Sequence, residues 1–191
     1  MYDPEIHHRR SIRMRGYDYA QPGAYFVTVC TQDNRHLFGD VVEGQMRLNE
    51  SGETVRACWL WLAKRYSHVE LDEWIVMPNH MHAIVRIRDC RGGSRTAPGG
   101  ASRCAPTKPL GRLVAAFKTV STKRFNEIRG TPGTVVWQRN YYEHIIRNED
   151  ECEKSREYVR RNPLLWACDR YNPERSVAVI DETGRVVPWE M

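Results

Sequence analysis

Apolar positions recur along this chain with two periods, near two and near 3.6, and the periods take turns. From Pro78 onward the pattern alternates strictly. Met81, Ala83, Val85 and Ile87 fall on one side, and His80, His82, Ile84, Arg86 and Arg88 on the other. That is the signature of a strand with one buried face. Ala24 to Thr31 is rich in β-formers and predicts a buried strand behind the turn Gln21-Pro22-Gly23. A short hairpin is expected around Glu43-Gly44. Asn49 or Ser51 then caps a helix reaching about Tyr66, with Val55, Cys58, Trp59 and Leu62 at helical spacing. Val69 to Met77 reads as a strand, broken by Pro78-Asn79, so it forms an antiparallel hairpin with the histidine strand. Pro109 opens a second helix to about Ile128, with Leu113, Ala116, Phe117 and Val120 on one face. Thr134 to Trp137 predicts a short strand, and Trp137 to Arg147 carries no clear period. Asn148 caps a last helix with acidic residues in its first turn and Arg160 and Arg161 in its last; Asn162-Pro163 stops it.

The order strand–helix–strand, strand–helix–strand, helix predicts an α+β chain with a ferredoxin-like (RRM-like) split βαβ antiparallel sheet. Its helices should lie on one face, with the C-terminal helix added and the histidines on the open face. Residues 1–166 form the expected domain and 167–191 an extension with weak strand signals at 176–180 and 185–187. Residues 90–108, dominated by Gly, Pro, Ser and Arg, read as a flexible insertion.

Composition narrows the class. With 191 residues, 41% of them hydrophobic and 28% charged, the chain can bury a core. A formal net charge of +5 is compatible with nucleic acid, and the stretch 7–15 is strongly basic. The six cysteines include no Cys-x-x-Cys pair, which argues against a zinc ribbon. No run has the length of a membrane span and no apolar segment follows the N-terminus, so the expected location is cytoplasmic.

The chemistry centres on His80 and His82. Side by side on a strand, their Cα atoms are about 6.5 Å apart, close enough for both imidazoles to hold one metal ion. The bland alternative is a sheet-packing pair. Tyr158 and Asn162, four residues apart, share a face of the last helix. A tyrosine can serve as a covalent nucleophile when its target is made electrophilic, and a divalent ion on two histidines would polarise a phosphodiester. Asn162 offers a carbonyl oxygen as third ligand to Mg²⁺ or Mn²⁺. Against this, Tyr158 fits a packing aromatic and Asn162 a helix cap.

At these residues the chain resembles a family. Met77-Pro78-Asn79-His80-Met81-His82 resembles the His-hydrophobe-His motif of HUH endonucleases. The stretch from Trp137 to Asn148, followed by Glu157-Tyr158-Val159-Arg160-Arg161-Asn162-Pro163, is similar to single-tyrosine transposases, above all the REP-associated tyrosine transposases. Arg13 to Tyr19 and Ala24 to Thr28 are similar as well, so the resemblance spans about residues 9–166. It implies a metal-dependent enzyme, with Mg²⁺ or Mn²⁺, that cuts and rejoins single-stranded DNA at hairpins through a 5′-phosphotyrosine. Tyr158 takes the nucleophile's place, His80 and His82 the metal ligands' places. Asn162 stands where relatives often have Gln. Relatives act as monomers or homodimers.

Tyr141 and Tyr142 compete for the nucleophile's role but are followed four residues on by Ile145 and Ile146. His144 is either structural or an orienting residue. Arg13, Arg15, Lys118, Lys123, Arg139 and Arg147 are candidate DNA contacts. Two other functions stay open: a non-catalytic nucleic-acid binder on an RRM-like sheet, and a metal-dependent nuclease that uses water.

Overall fold

A computed structural model describes residues 14, 16–89 and 108–175. The basic lead-in, with Arg13 and Arg15, almost all of the 90–108 insertion and both weak tail strands lie outside the described residues.

The main sheet has four strands. In chain order they are β1 (Gly23–Cys30), β4 (Val69–Val76), β5 (His80–Ile87) and β6 (Tyr142–Ile146), arranged β4-β5-β1-β6 with every neighbour antiparallel. A two-stranded hairpin, β2 (Gly39–Val42) with β3 (Gln45–Leu48), stands apart. Its turn places Glu43 and Gly44 at φ 53° and 71°, the left-handed pair that a tight hairpin needs. Helix α1 (Glu50–Arg65) joins β3 to β4, and α2 (Leu110–Arg129) joins β5 to β6, giving two interleaved βαβ units.

Each face of the sheet has its own core. Tyr25, Val27, Met81, Ala83 and Val85 meet the apolar stripes of α1 and α2 around Trp59, Leu62, Leu113 and Phe117. The other face is covered too. Phe26 and Ile84 pack against Cys152 and Val159 of α3 (Glu149–Arg161), with Tyr158 alongside. The face expected to be open therefore carries the last helix. The strand's alternation could not show this, because Phe26, Thr28, His82 and Ile84 mix polar and apolar types.

The fourth strand is Tyr142–Ile146, not the Thr134–Trp137 stretch expected from β-propensity. Trp137 makes only an isolated bridge to Thr31. Its indole N–H donates to Ser121 Oγ of α2 at 2.8 Å, and Thr134 O accepts from Asn126 Nδ2 at 2.9 Å. These side-chain anchors on α2 act together with two backbone bonds at the end of β1, Gln32 N–H to Val136 O at 2.8 Å and Gln138 N–H to Cys30 O at 2.9 Å.

Helix α3 is capped as its sequence predicts, with Asn148 Oδ1 accepting from Glu151 N at 2.8 Å. Its outer side is clamped to strand β4. A register shift between Leu71 and Trp74 lies beside Asp72. The Asp72 carboxylate accepts from Arg156 at 2.9 Å and from Arg86 at 2.8 Å. These guanidinium bonds hold it well below the usual carboxylate range. Arg160 pairs with Glu73 at 2.9 Å one turn on. Among the described residues no helix is long and apolar enough to cross a membrane.

Candidate active site

Strand β5 delivers both histidines to the α3 side of the sheet, opposite β1, where Cys30 pairs with His80 and Thr28 with His82. Both imidazoles are fully buried. Their Nε2 atoms face each other at 3.0 Å. Each Nδ1 is held from behind: His80 by Asn79 Oδ1 at 2.9 Å, His82 by Thr28 Oγ1 at 2.8 Å. Burial drives both rings toward the neutral form, His80 down to about 3 and His82 well below its ordinary value. Neutral rings with inward-facing Nε2 atoms are what ligation requires.

Tyr158 meets this pair from α3. Its hydroxyl is 3.4 Å from His82 Nε2, and its ring lies edge-on to His82 and Phe26. Burial raises the phenol well above its ordinary value, Asp169 raises it further, and Arg170 pulls it partly back. One turn later, Asn162 is buried and its side chain faces both His80 and Tyr158. Its Nδ2 donates to Asp169 Oδ2 at 3.1 Å, while its Oδ1 is buried without a hydrogen-bond donor among the described residues. A buried carbonyl oxygen beside His80 and Tyr158 is thereby able to meet a cation.

Asp169 was not among the residues singled out from the sequence. One oxygen of its buried carboxylate lies within 4.8 Å of ligand nitrogens of His80 and His82. Burial pushes its pKa up, against the lowering from the Tyr171 N–H, which donates to Oδ1 at 2.7 Å. His80, His82 and Asp169 thus form a buried group of two imidazoles and a carboxylate that could hold a divalent metal ion. The 3.0 Å between the two Nε2 atoms also fits, since adjacent ligands about 2.1 Å from an octahedral ion are about 3 Å apart.

The residues from Trp166 on close the site. Trp166 and Tyr171 lay their rings near His80, with centroids at 5.9 and 4.7 Å. Asn79 Nδ2 donates to the Tyr171 carbonyl at 2.6 Å. Arg170 donates to the Tyr171 hydroxyl at 2.8 Å, with its guanidinium 5.9 Å from the Tyr142 ring. None of Thr28, Asn79, Asp169, Arg170 and Tyr171 carries a spacing signal. Asn79, inside the Met77–His82 motif, was the one within reach.

The other candidates divide. Tyr142 shares the site's face beside Thr28, whereas Tyr141 packs on the opposite core. Lys118 donates to the carbonyls of Gln138 and Asn140, both at 2.7 Å, and burial lowers it to about 8. It tethers the loop before β6. Lys123 and Arg139 are exposed, as is Arg147, whose backbone N–H donates to Glu151. His144 lies 3.6 Å from Glu151 at the opposite end of α3 from Tyr158.

In fold the chain is a transposase-like α+β protein. A REP-associated tyrosine transposase, solved bound to a REP hairpin, aligns with it at a TM-score of 0.52 over 82% of this chain and 73% of its own, at 19% identity. That likeness is one of fold. An uncharacterized protein of Haemophilus influenzae is 37% identical over 177 residues, covering 88% of this chain and 96% of its own, and the chain belongs to the same family. No protein-family model matches it.

Proposed function

We propose that this protein is a REP-associated tyrosine transposase, a metal-dependent endonuclease that cuts and rejoins single-stranded DNA beside hairpins. The observation that carries the reading is the approach of the Tyr158 hydroxyl to His82 Nε2 at 3.4 Å, across a sheet face where nothing in the local sequence requires it. The fold shared with a transposase bound to a REP hairpin supports it.

In this reading Tyr158 Oη attacks the phosphorus of the scissile phosphodiester. An O–P bond forms to the phenol, the bond to the 3′ oxygen breaks, and the phenolic proton is balanced by the one the 3′-hydroxyl gains. Rejoining reverses both changes. His80, His82, Asp169 and Asn162 would hold a divalent ion, which supplies polarisation of a non-bridging phosphate oxygen. Arg170, with its fixed charge at the mouth of the site, binds the phosphate. Phe26 and the covering aromatic rings limit water.

A binder of the RNA-recognition type needs the sheet face that α3 occupies, so that alternative loses its surface. The test is Tyr158→Phe on an end-labelled single-stranded hairpin with Mg²⁺. Wild type should form a covalent protein–DNA adduct that a chelator prevents; the variant should bind the hairpin and form none. Cleavage by the variant would instead show a water-using nuclease.

A further inference from the structure

The hydrogen bonds behind the two imidazoles are unequal. Asn79 Nδ2 donates to two carbonyl oxygens, Asn34 O at 3.0 Å and Tyr171 O at 2.6 Å. Carbonyls only accept, so that end of the amide is the NH₂ and the other end is the oxygen. Oδ1 in turn only accepts, so His80 Nδ1 bears a hydrogen and the neutral ring presents a bare lone pair at Nε2. His82 has no such fixed partner. Thr28 Oγ1, 2.8 Å from its Nδ1, can donate or accept.

The shorter contact at His82 Nε2, 3.0 Å to His80 Nε2 against 3.4 Å to the Tyr158 hydroxyl, which can donate or accept, then decides what His82 does. Two bare lone pairs at 3.0 Å repel. With no ion between them, His82 Nε2 carries the hydrogen and donates it to His80 Nε2, while its Nδ1 accepts from the Thr28 hydroxyl. With an ion between them, both Nε2 atoms must be bare. The hydrogen then resides on His82 Nδ1 and Thr28 accepts it.

We propose that Asn79 locks His80 in its ligating tautomer, and that Thr28 is a two-way partner that lets His82 exchange its tautomer when metal loads. Both are positioning residues, and the inference rests on the metal site proposed above. The exchange is neutral overall: His82 Nε2 gives one proton to solvent, Nδ1 takes one up, and the Thr28 hydroxyl turns from donor to acceptor. Loading should therefore release no net proton from the pair.

The test is ¹⁵N NMR of histidine-labelled full-length protein, first in chelator and then with Mg²⁺. In chelator, His80 should be protonated at Nδ1 and His82 at Nε2. Mg²⁺ should move the His82 proton to Nδ1 and leave His80 unchanged. A His82 protonated at Nδ1 before Mg²⁺ is added overturns the proposal. Thr28→Val keeps the shape and removes the hydroxyl; it should weaken Mg²⁺ binding about tenfold or more by calorimetry, with Thr28→Ser restoring it. Equal affinity in Thr28→Val also overturns the proposal. If Mg²⁺ binds wild type by calorimetry but leaves the His82 proton on Nε2, the exchange fails and the metal site stands; if Mg²⁺ does not bind at all, the metal reading fails as well. Should Thr28→Val fail to fold, the wild-type tautomers before and after Mg²⁺ still decide.

Discussion

Phe26 stands between the two halves of the site: its ring stacks on His82 at 5.4 Å and meets Tyr158 edge-on at 5.8 Å. One buried side chain from the central strand thus sets the distance from phenol to imidazole. Phe26→Leu keeps an apolar residue there and should cost about 1 kcal/mol of stability. Lost alignment should slow adduct formation about 10- to 100-fold, with hairpin affinity unchanged. Single-turnover adduct kinetics beside urea denaturation would separate the two effects.

The clamp on α3 should matter out of proportion to its distance from the chemistry. Asp72 is mostly buried between Arg86 and Arg156. Asp72→Ala leaves two guanidiniums facing each other and should destabilise the fold by about 2 kcal/mol. Hydrogen exchange should quicken in α3 first, before α1 or α2. Uniform loosening would show that the clamp does not act on α3 in particular.

The two proposed ligands Asp169 and Asn162 can be told apart. Asp169→Asn removes the only carboxylate in the donor set and should weaken Mg²⁺ binding about 10- to 100-fold. Asn162→Ala removes the buried Oδ1 and should weaken it less, while also freeing Asp169 from its 3.1 Å bond. Calorimetric titration with Mg²⁺ measures both. Unchanged affinity in Asp169→Asn would restrict the ligands to the imidazoles and the amide.

The histidine pair also predicts how stability depends on pH. Burial holds the folded His80 down at about 3, against an ordinary value of 6.5, and His82 is lowered as well. Below pH 6.5 the unfolded chain takes up protons that the folded rings refuse. This contribution is therefore constant above about pH 7 and is lost progressively as pH falls from 6.5 toward 3. Denaturation midpoints of wild type and a His80→Gln, His82→Gln variant should converge as pH falls from 7 to 5. A constant gap across that range would mean that the rings titrate normally.

Much of this arrangement was legible in the sequence. Strict alternation after Pro78 located β5, and capping residues at Asn49 and Asn148 located two helix starts. The i, i+4 spacing placed Tyr158 and Asn162 on one face. Strand β6 was missed because an edge strand with Glu143 and His144 at its centre lacks a two-residue rhythm. Asp169 and Arg170 were missed for a different reason. They follow Pro163 in irregular chain, where no period relates a residue to a site, and only the fold-back to Asn79 brings them to the histidines. Lys118 shows the converse: a positive charge in a basic helix reads as a DNA contact until two carbonyls are found around its ammonium.

The bonds from Arg156 and Arg160 to Asp72 and Glu73 join α3 to a strand of the same polypeptide. Tyr158 and the two imidazoles thus meet within one polypeptide, so under the proposed function a single chain would hold the whole site. Two crippled proteins mixed together, one Tyr158→Phe and the other His80→Ala with His82→Ala, should fail to complement, and dilution should leave the specific activity of the intact protein unchanged.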